Sequence, residues 1–127
     1  MPQYRGLYIP GGIYFFTVVT FERAAIFADE NAYELFHAVW TKTKERLPFI
    51  TEAFCLLPDH LHCIWRLPDG DADFSIRWSE IKRLFTRGYL RGIGSGGFRN
   101  VSRIRKREAA VWQRRFWELA IRDETDF

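Results

Sequence analysis

Two apolar runs separated by a two-residue break constrain this chain more than any other feature. Phe49 to Leu57 and His60 to Leu67 are rich in aliphatic and aromatic residues and flank Pro58-Asp59. A connection this short predicts an antiparallel hairpin. Side chains alternate along a strand, so His60 and His62 share one face and Leu61 takes the other. Two imidazoles roughly 7 Å apart, from a rise of ~3.3 Å per residue, can lean onto one metal ion.

The rest of the chain supplies elements for the hairpin to pack against. Gly11-Gly12 is a turn, and Ile13 to Thr20 is β-branched and aromatic throughout, the pattern of a strand buried on both faces. Asp29 is an N-cap for a helix from Glu30 to Leu47, whose apolar set is Ala32, Leu35, Phe36, Val39, Trp40 and Leu47, with Thr43 completing the stripe. Pro48 stops it. After the loop Pro68 to Asp71, a second helix starts near Asp73 or Ser75, with Phe74, Trp78, Ile81, Leu84, Phe85 and Tyr89 on its apolar face. Arg83, Arg87 and Arg91 form a basic row at i, i+4 and i+8. Gly92 to Gly97 is flexible and glycine-rich, and it lacks the strand-then-helix context of a phosphate loop. A fourth strand is expected from Arg115 to Arg122, and Asp123 to Asp126 resembles the acidic opening of a further helix. The order strand, helix, strand, strand, helix, strand predicts an α+β, ferredoxin-like split βαβ sandwich. Its four-stranded sheet is antiparallel, with helices on one face.

With 127 residues, 47% of them hydrophobic, the chain suits one domain, 1–127, with a substantial core. It has no run of 18 apolar residues, and its N-terminus lacks signal-peptide architecture, so an intracellular, cytoplasmic protein is expected. Cys55 and Cys63 sit in strand-like runs and are expected to be buried, reduced thiols. Charge is strongly divided. Arg77 to Arg115 holds twelve basic residues against Glu80 and Glu108, a net of +10, while the remainder carries −7. Such a block suits a polyanionic partner, and the dominance of arginine over lysine suits phosphate, although a solvated basic loop gives the same pattern.

By chemistry alone, His60 and His62 are either metal ligands or structural histidines. Two ligands bind weakly without a third group or open positions for water and substrate. His37, flanked by Phe36 and Ala38, is read as a helix-surface or packing residue. A metal beside phosphate-binding arginines suits phosphodiester chemistry, because the ion polarises the phosphate and stabilises developing charge.

Four segments together resemble a known family. They are Tyr4-Arg5 through Tyr8-Ile9-Pro10-Gly11-Gly12 with Tyr14 to Val18; Leu57-Pro58-Asp59-His60-Leu61-His62-Cys63-Ile64-Trp65; Asp71 to Ser75 with Arg77-Trp78 and Ile81-Lys82; and Trp112 to Glu118 with Ile121 to Glu124. In this order they resemble REP-associated tyrosine transposases, of the single-tyrosine branch of the HUH (histidine–hydrophobic–histidine) endonucleases, over nearly the whole chain. The resemblance implies a divalent metal, Mg2+ or Mn2+, held by His60 and His62, and a single-stranded or hairpin DNA partner from palindromic repeat elements. It also implies a tyrosine that attacks phosphorus to leave a 5′-phosphotyrosine and a free 3′-hydroxyl, which conserves bond energy for rejoining.

The family's nucleophilic tyrosine belongs to a helix beyond the last strand, and this sequence has no tyrosine after Tyr89. Tyr4, Tyr8, Tyr14, Tyr33 and Tyr89 do not match it, so no catalytic residue is assigned, and strand cleavage by these 127 residues is expected to be absent or very weak. Expected phosphate contacts are Arg83, Arg87, Arg103, Arg105, Lys106, Arg107, Arg114 and Arg115, with Tyr4 and Arg5 near the hairpin foot. Trp112 either stacks on an unpaired base or belongs to the core. Three readings follow: a catalytically incomplete HUH-type transposase that is a monomer or homodimer, a non-catalytic binder of structured DNA, and an unrelated metal hydrolase that recruits Asp59.

Overall fold

A computed structural model describes residues 9–94, 111–113 and 117–121. Its elements are β1 (Ile13–Val19), α1 (Glu30–Arg46), β2 (Ile50–Leu57), β3 (His60–Arg66), α2 (Phe74–Gly92) and β4 (Trp117–Ile121). Short 3₁₀ turns at Phe21–Arg23 and Ile26–Ala28, which periodicity does not signal, lead from β1 into α1. The strands form one antiparallel sheet in the order β2-β3-β1-β4. The fold is therefore the α+β sandwich that the element order predicts, and the hairpin at Pro58-Asp59 pairs Leu57 with His60. The expected helix at Asp123 to Asp126 lies outside the described residues, as do the basic stretch Val101 to Arg107 and the outer ends of the fourth strand.

The core lies between the sheet and the two helices. Tyr14, Phe16 and Val18 from β1 and Leu61, Cys63 and Trp65 from β3 are buried against Phe36, Val39 and Trp40 of α1 and Phe74, Trp78, Ile81 and Phe85 of α2. Aromatic rings fill this layer: Trp65 stacks on Trp78 at 4.6 Å and on Phe49 at 4.2 Å, and Phe16 meets Trp78 edge-on at 5.4 Å. Trp112 is core as well, buried among Phe27, Phe36 and Phe85.

β1 departs from the expectation of a strand buried on both faces. Ile13, Phe15 and Thr17 are only half-buried, because both helices pack on the other side of the sheet. Cys63 is buried and its thiol is pushed well up by burial, but Cys55 points to the open face and is exposed. Both thiols are free.

Caps and one buried cation fix the helix positions. The Asp29 carboxylate accepts from the N–H groups of Asn31 and Ala32, and Asp73 accepts from Ile76. Arg77, counted with the basic segment by sequence, is 2% exposed. Its guanidinium donates to Pro48 O at 2.8 Å, to Asp73 O at 2.8 Å and to both carboxylate oxygens of Asp71 at 3.1 and 2.9 Å. It ties the α1–β2 turn to the start of α2 and is unavailable to a ligand. Gly88 lets the two helices close: a Cβ there would sit 3.0 Å from the Leu35 methyl carbons.

Candidate metal and DNA site on the open sheet face

The hairpin turn puts His60 and His62 on the face without helices, while Leu61 and Cys63 between and beyond them point into the core. The two rings lean together, with centroids 4.9 Å apart and planes at 79°. Each ring is held from behind. His60 Nδ1 lies 2.6 Å from Asp59 Oδ1, and His62 Nδ1 lies 2.9 Å from the hydroxyl of Thr17, its direct partner across the β1–β3 ladder. Phe15 lies nearly parallel to His62 at 5.7 Å. In the tautomer that carries the proton on Nδ1 and donates it to Asp59 and Thr17, each ring presents the Nε2 lone pair away from these partners, and among the described residues neither Nε2 has a hydrogen-bond partner. This carboxylate- or hydroxyl-backed imidazole is the arrangement that orients metal-ligating histidines.

The charge states agree with that role. Burial, then the neighbouring His60, lowers the pKa of His62, which favours the neutral, ligating imidazole. The hydrogen bond from His60 holds the Asp59 carboxyl below its usual range, assisted by Arg23 and opposed by burial. Among the described residues no group of three or more His, Cys, Asp or Glu is arranged to hold a metal ion. The two imidazoles make a partial donor set of the kind that suits a divalent cation and leaves its other coordination positions open. Asp59, the third ligand that a hydrolase would recruit, is turned instead to His60 and to Arg23.

Arg23 carries no signal in the sequence. It sits in the turn after β1, and its Nε donates to Asp59 Oδ2 at 3.0 Å. Glu22 (φ 51°) and Arg23 (φ 55°) are consecutive non-glycine residues in the left-handed region, a conformation that costs about 1–2 kcal/mol per residue. The turn is stitched to the hairpin: Thr20 N–H donates to Asp59 O at 3.0 Å, and Phe27 N–H donates to Pro58 O at 2.9 Å. The Thr20 hydroxyl lies 2.7 Å from Ala24 O and 3.0 Å from Asp59 O. Thr17 and Phe15 reach His62 across the β1–β3 pairing and Arg23 reaches Asp59 from the turn after β1, contacts that local sequence does not encode.

The predicted DNA contacts are not gathered at the histidines. Arg83 and Arg87 project from α2, in the layer on the opposite side of the sheet. Arg83 pairs with Glu80 at 2.9 Å, a carboxylate that Arg46 also approaches at 3.2 Å. Arg87 is exposed, with no partner among the described residues. Tyr4, Arg5, Arg103, Arg105, Lys106, Arg107, Arg114 and Arg115 lie outside the described residues. The described tyrosines are all away from the open face: Tyr14 is buried and hydrogen-bonded to Ile9, Tyr33 packs on His37 along α1, and Tyr89 stacks on Phe85 along α2. His37 is exposed on the surface of α1, against Tyr33 and Phe54, the helix-surface or packing position the sequence suggests.

These features define an α+β sandwich domain whose antiparallel sheet, backed by two helices, carries a histidine pair on its bare face. The chain is 42% identical over 127 residues to the REP-associated tyrosine transposase of Escherichia coli K12. It is 39% identical over 126 residues to the Putative REP-associated tyrosine transposase of Haemophilus influenzae Rd. It spans 66% and 69% of the lengths of these two curated relatives. A solved structure of the REP-associated tyrosine transposase bound to a REP hairpin superposes with a TM-score of 0.76 at 39% identity, covering 99% of this chain and 66% of that one. A chain from Deinococcus radiodurans R1 matches with a TM-score of 0.64 at 14% identity, covering 98% of this chain and 89% of that one, a likeness of fold alone. No family model matches the chain. The chain belongs to the REP-associated tyrosine transposase family.

Proposed function

We propose that residues 1–127 form one domain of a transposase that binds hairpin or single-stranded DNA of REP type in the cytoplasm and holds a divalent cation at His60 and His62. The observation that carries this reading is the paired presentation of two outward Nε2 atoms, each ring locked through Nδ1. A bound Mg2+ or Mn2+ supplies Lewis-acid polarisation of a phosphodiester and neutralises charge on its oxygens, and two imidazole donors favour Mn2+ of the pair. Asp59 and Thr17 keep the rings aimed, and the bare sheet face gives a nucleic-acid strand access to them. Arg83 and Arg87, with Arg103, Arg105, Lys106, Arg107, Arg114 and Arg115, grip phosphates, and Tyr4 and Arg5 contact the hairpin foot.

A second reading is binding without cleavage; among the described residues the tyrosines, Tyr14, Tyr33 and Tyr89, lie away from the histidine face, which supports it. Both readings are tested by titrating a labelled REP hairpin with a single-stranded flank, with and without EDTA, followed by a denaturing gel. Binding that survives chelation and weakens with salt, by a slope of ~0.9 per duplex phosphate contact, is expected, with no covalent adduct. Failure to bind the hairpin rejects the proposal. A phosphotyrosine adduct rejects the non-cleaving reading.

A further inference from the structure

We propose that Arg23 is a phosphate-contacting residue of the histidine site, held in register with it by Asp59. The inference rests on the DNA- and metal-binding reading above and extends it to a residue outside the histidine motif and outside the basic segment. One carboxylate serves both groups: Asp59 Oδ1 receives His60 Nδ1 at 2.6 Å, and Asp59 Oδ2 receives Arg23 Nε at 3.0 Å. Among the described residues, the partner of Arg23 is met through Nε. Its two terminal nitrogens have no partner among the described residues, and its side chain is 59% exposed. A guanidinium anchored through Nε offers its remaining N–H groups at a fixed angle, which suits the oxygens of a phosphodiester.

Stability does not account for this arrangement. An ion pair this exposed contributes little, whereas Glu22 and Arg23 both occupy left-handed backbone that neither residue favours. Unfavourable backbone of this kind persists where surrounding contacts impose it, and it clusters at functional sites. Here the contacts are those of Thr20 and Phe27 with the carbonyls of Asp59 and Pro58, so the turn that aims Arg23 is built on the same hairpin that aims His60. Arg23 and His60 are thereby tied to the two oxygens of one carboxylate, which sets an exposed cation beside the histidine pair. Asp59 acts as the positioning residue for both.

The test compares the full 127-residue chain with R23A, R23K and D59N, using two probes: Mn2+ alone by calorimetry, and a labelled REP hairpin with a single-stranded flank across a salt series in Mn2+. R23A is expected to weaken DNA binding about tenfold, the worth of a charge-assisted contact to phosphate, and to reduce the salt slope by ~0.7. R23K keeps the slope but recovers only part of the affinity, because a point charge replaces the fork. D59N is expected to lower Mn2+ affinity roughly 10–100-fold as an outer-shell partner, a larger loss than R23A produces, and to weaken DNA binding as well. An R23A protein with wild-type DNA affinity and slope overturns the inference while leaving the parent reading intact. A wild-type chain that does not bind the DNA overturns both.

Discussion

At the residue scale, alternation along a strand makes His60 and His62 a pair, and the groups behind them make the pair a candidate ligand set. His62→Ala is expected to lose more Mn2+ affinity than the roughly 10–100-fold typical of a missing outer-shell partner, measured by calorimetry. Fold stability should change little, because the ring sits on the open face. An H62A chain that binds Mn2+ as well as wild type excludes the site. Burial and the His60 charge disfavour the protonated form of His62, so it must be acidified further before it takes a proton. In metal-free protein its NMR titration midpoint should fall below ~6.5, the ordinary histidine value; a midpoint at or above that value contradicts the assignment. The histidines themselves were legible in the sequence as a motif. Thr17 and Arg23 were not: each lies dozens of positions away, and only the β1–β3 pairing and the stitched turn bring them in.

Elements were legible where local rules decide them. The Asp29 cap, the stripe on α1 with Thr43 included, and the hairpin at Pro58-Asp59 all follow from capping, periodicity and loop length. Asp29→Ala removes an acceptor for two N–H groups and should cost about 1 kcal/mol in urea unfolding. Arg77 was counted with the basic segment, because a sequence shows its charge but not the Pro48, Asp71 and Asp73 acceptors that fold around it. The Arg77 hydrogen bonds hold the Asp71 carboxyl below its usual range, so the folded state prefers it ionised. That contribution is fully present above the unfolded value of ~3.9 and is lost as pH falls through the lower folded value. Asp71→Asn should therefore destabilise at neutral pH by about 2 kcal/mol, less than a fully buried pair because Asp71 is 35% exposed. The deficit should shrink in acid. Equal acid limbs for D71N and wild type, in denaturant midpoints across pH, would contradict the linkage.

At the scale of the whole molecule, the sheet separates two chemistries. The histidines occupy one side, and the α2 row of Arg83, Arg87 and Arg91 belongs to the other. Sites with no shared partners act independently, so charge reversal at Arg83 and Arg87 should weaken hairpin binding by the same factor with and without EDTA. A charge-reversal effect that vanishes on chelation would place those arginines at the metal site instead. By itself the sequence determined the element order, the α+β class, the caps and the histidine pair, because these depend on local periodicity and on residues adjacent in the chain. Only the tertiary structure decided that β1 has an open face, that Trp112 and Arg77 are interior, that Thr17 backs His62 and that Arg23 meets Asp59. Each of those facts is set by strand pairing and by the side of the sheet the helices choose, contacts between residues far apart in the chain.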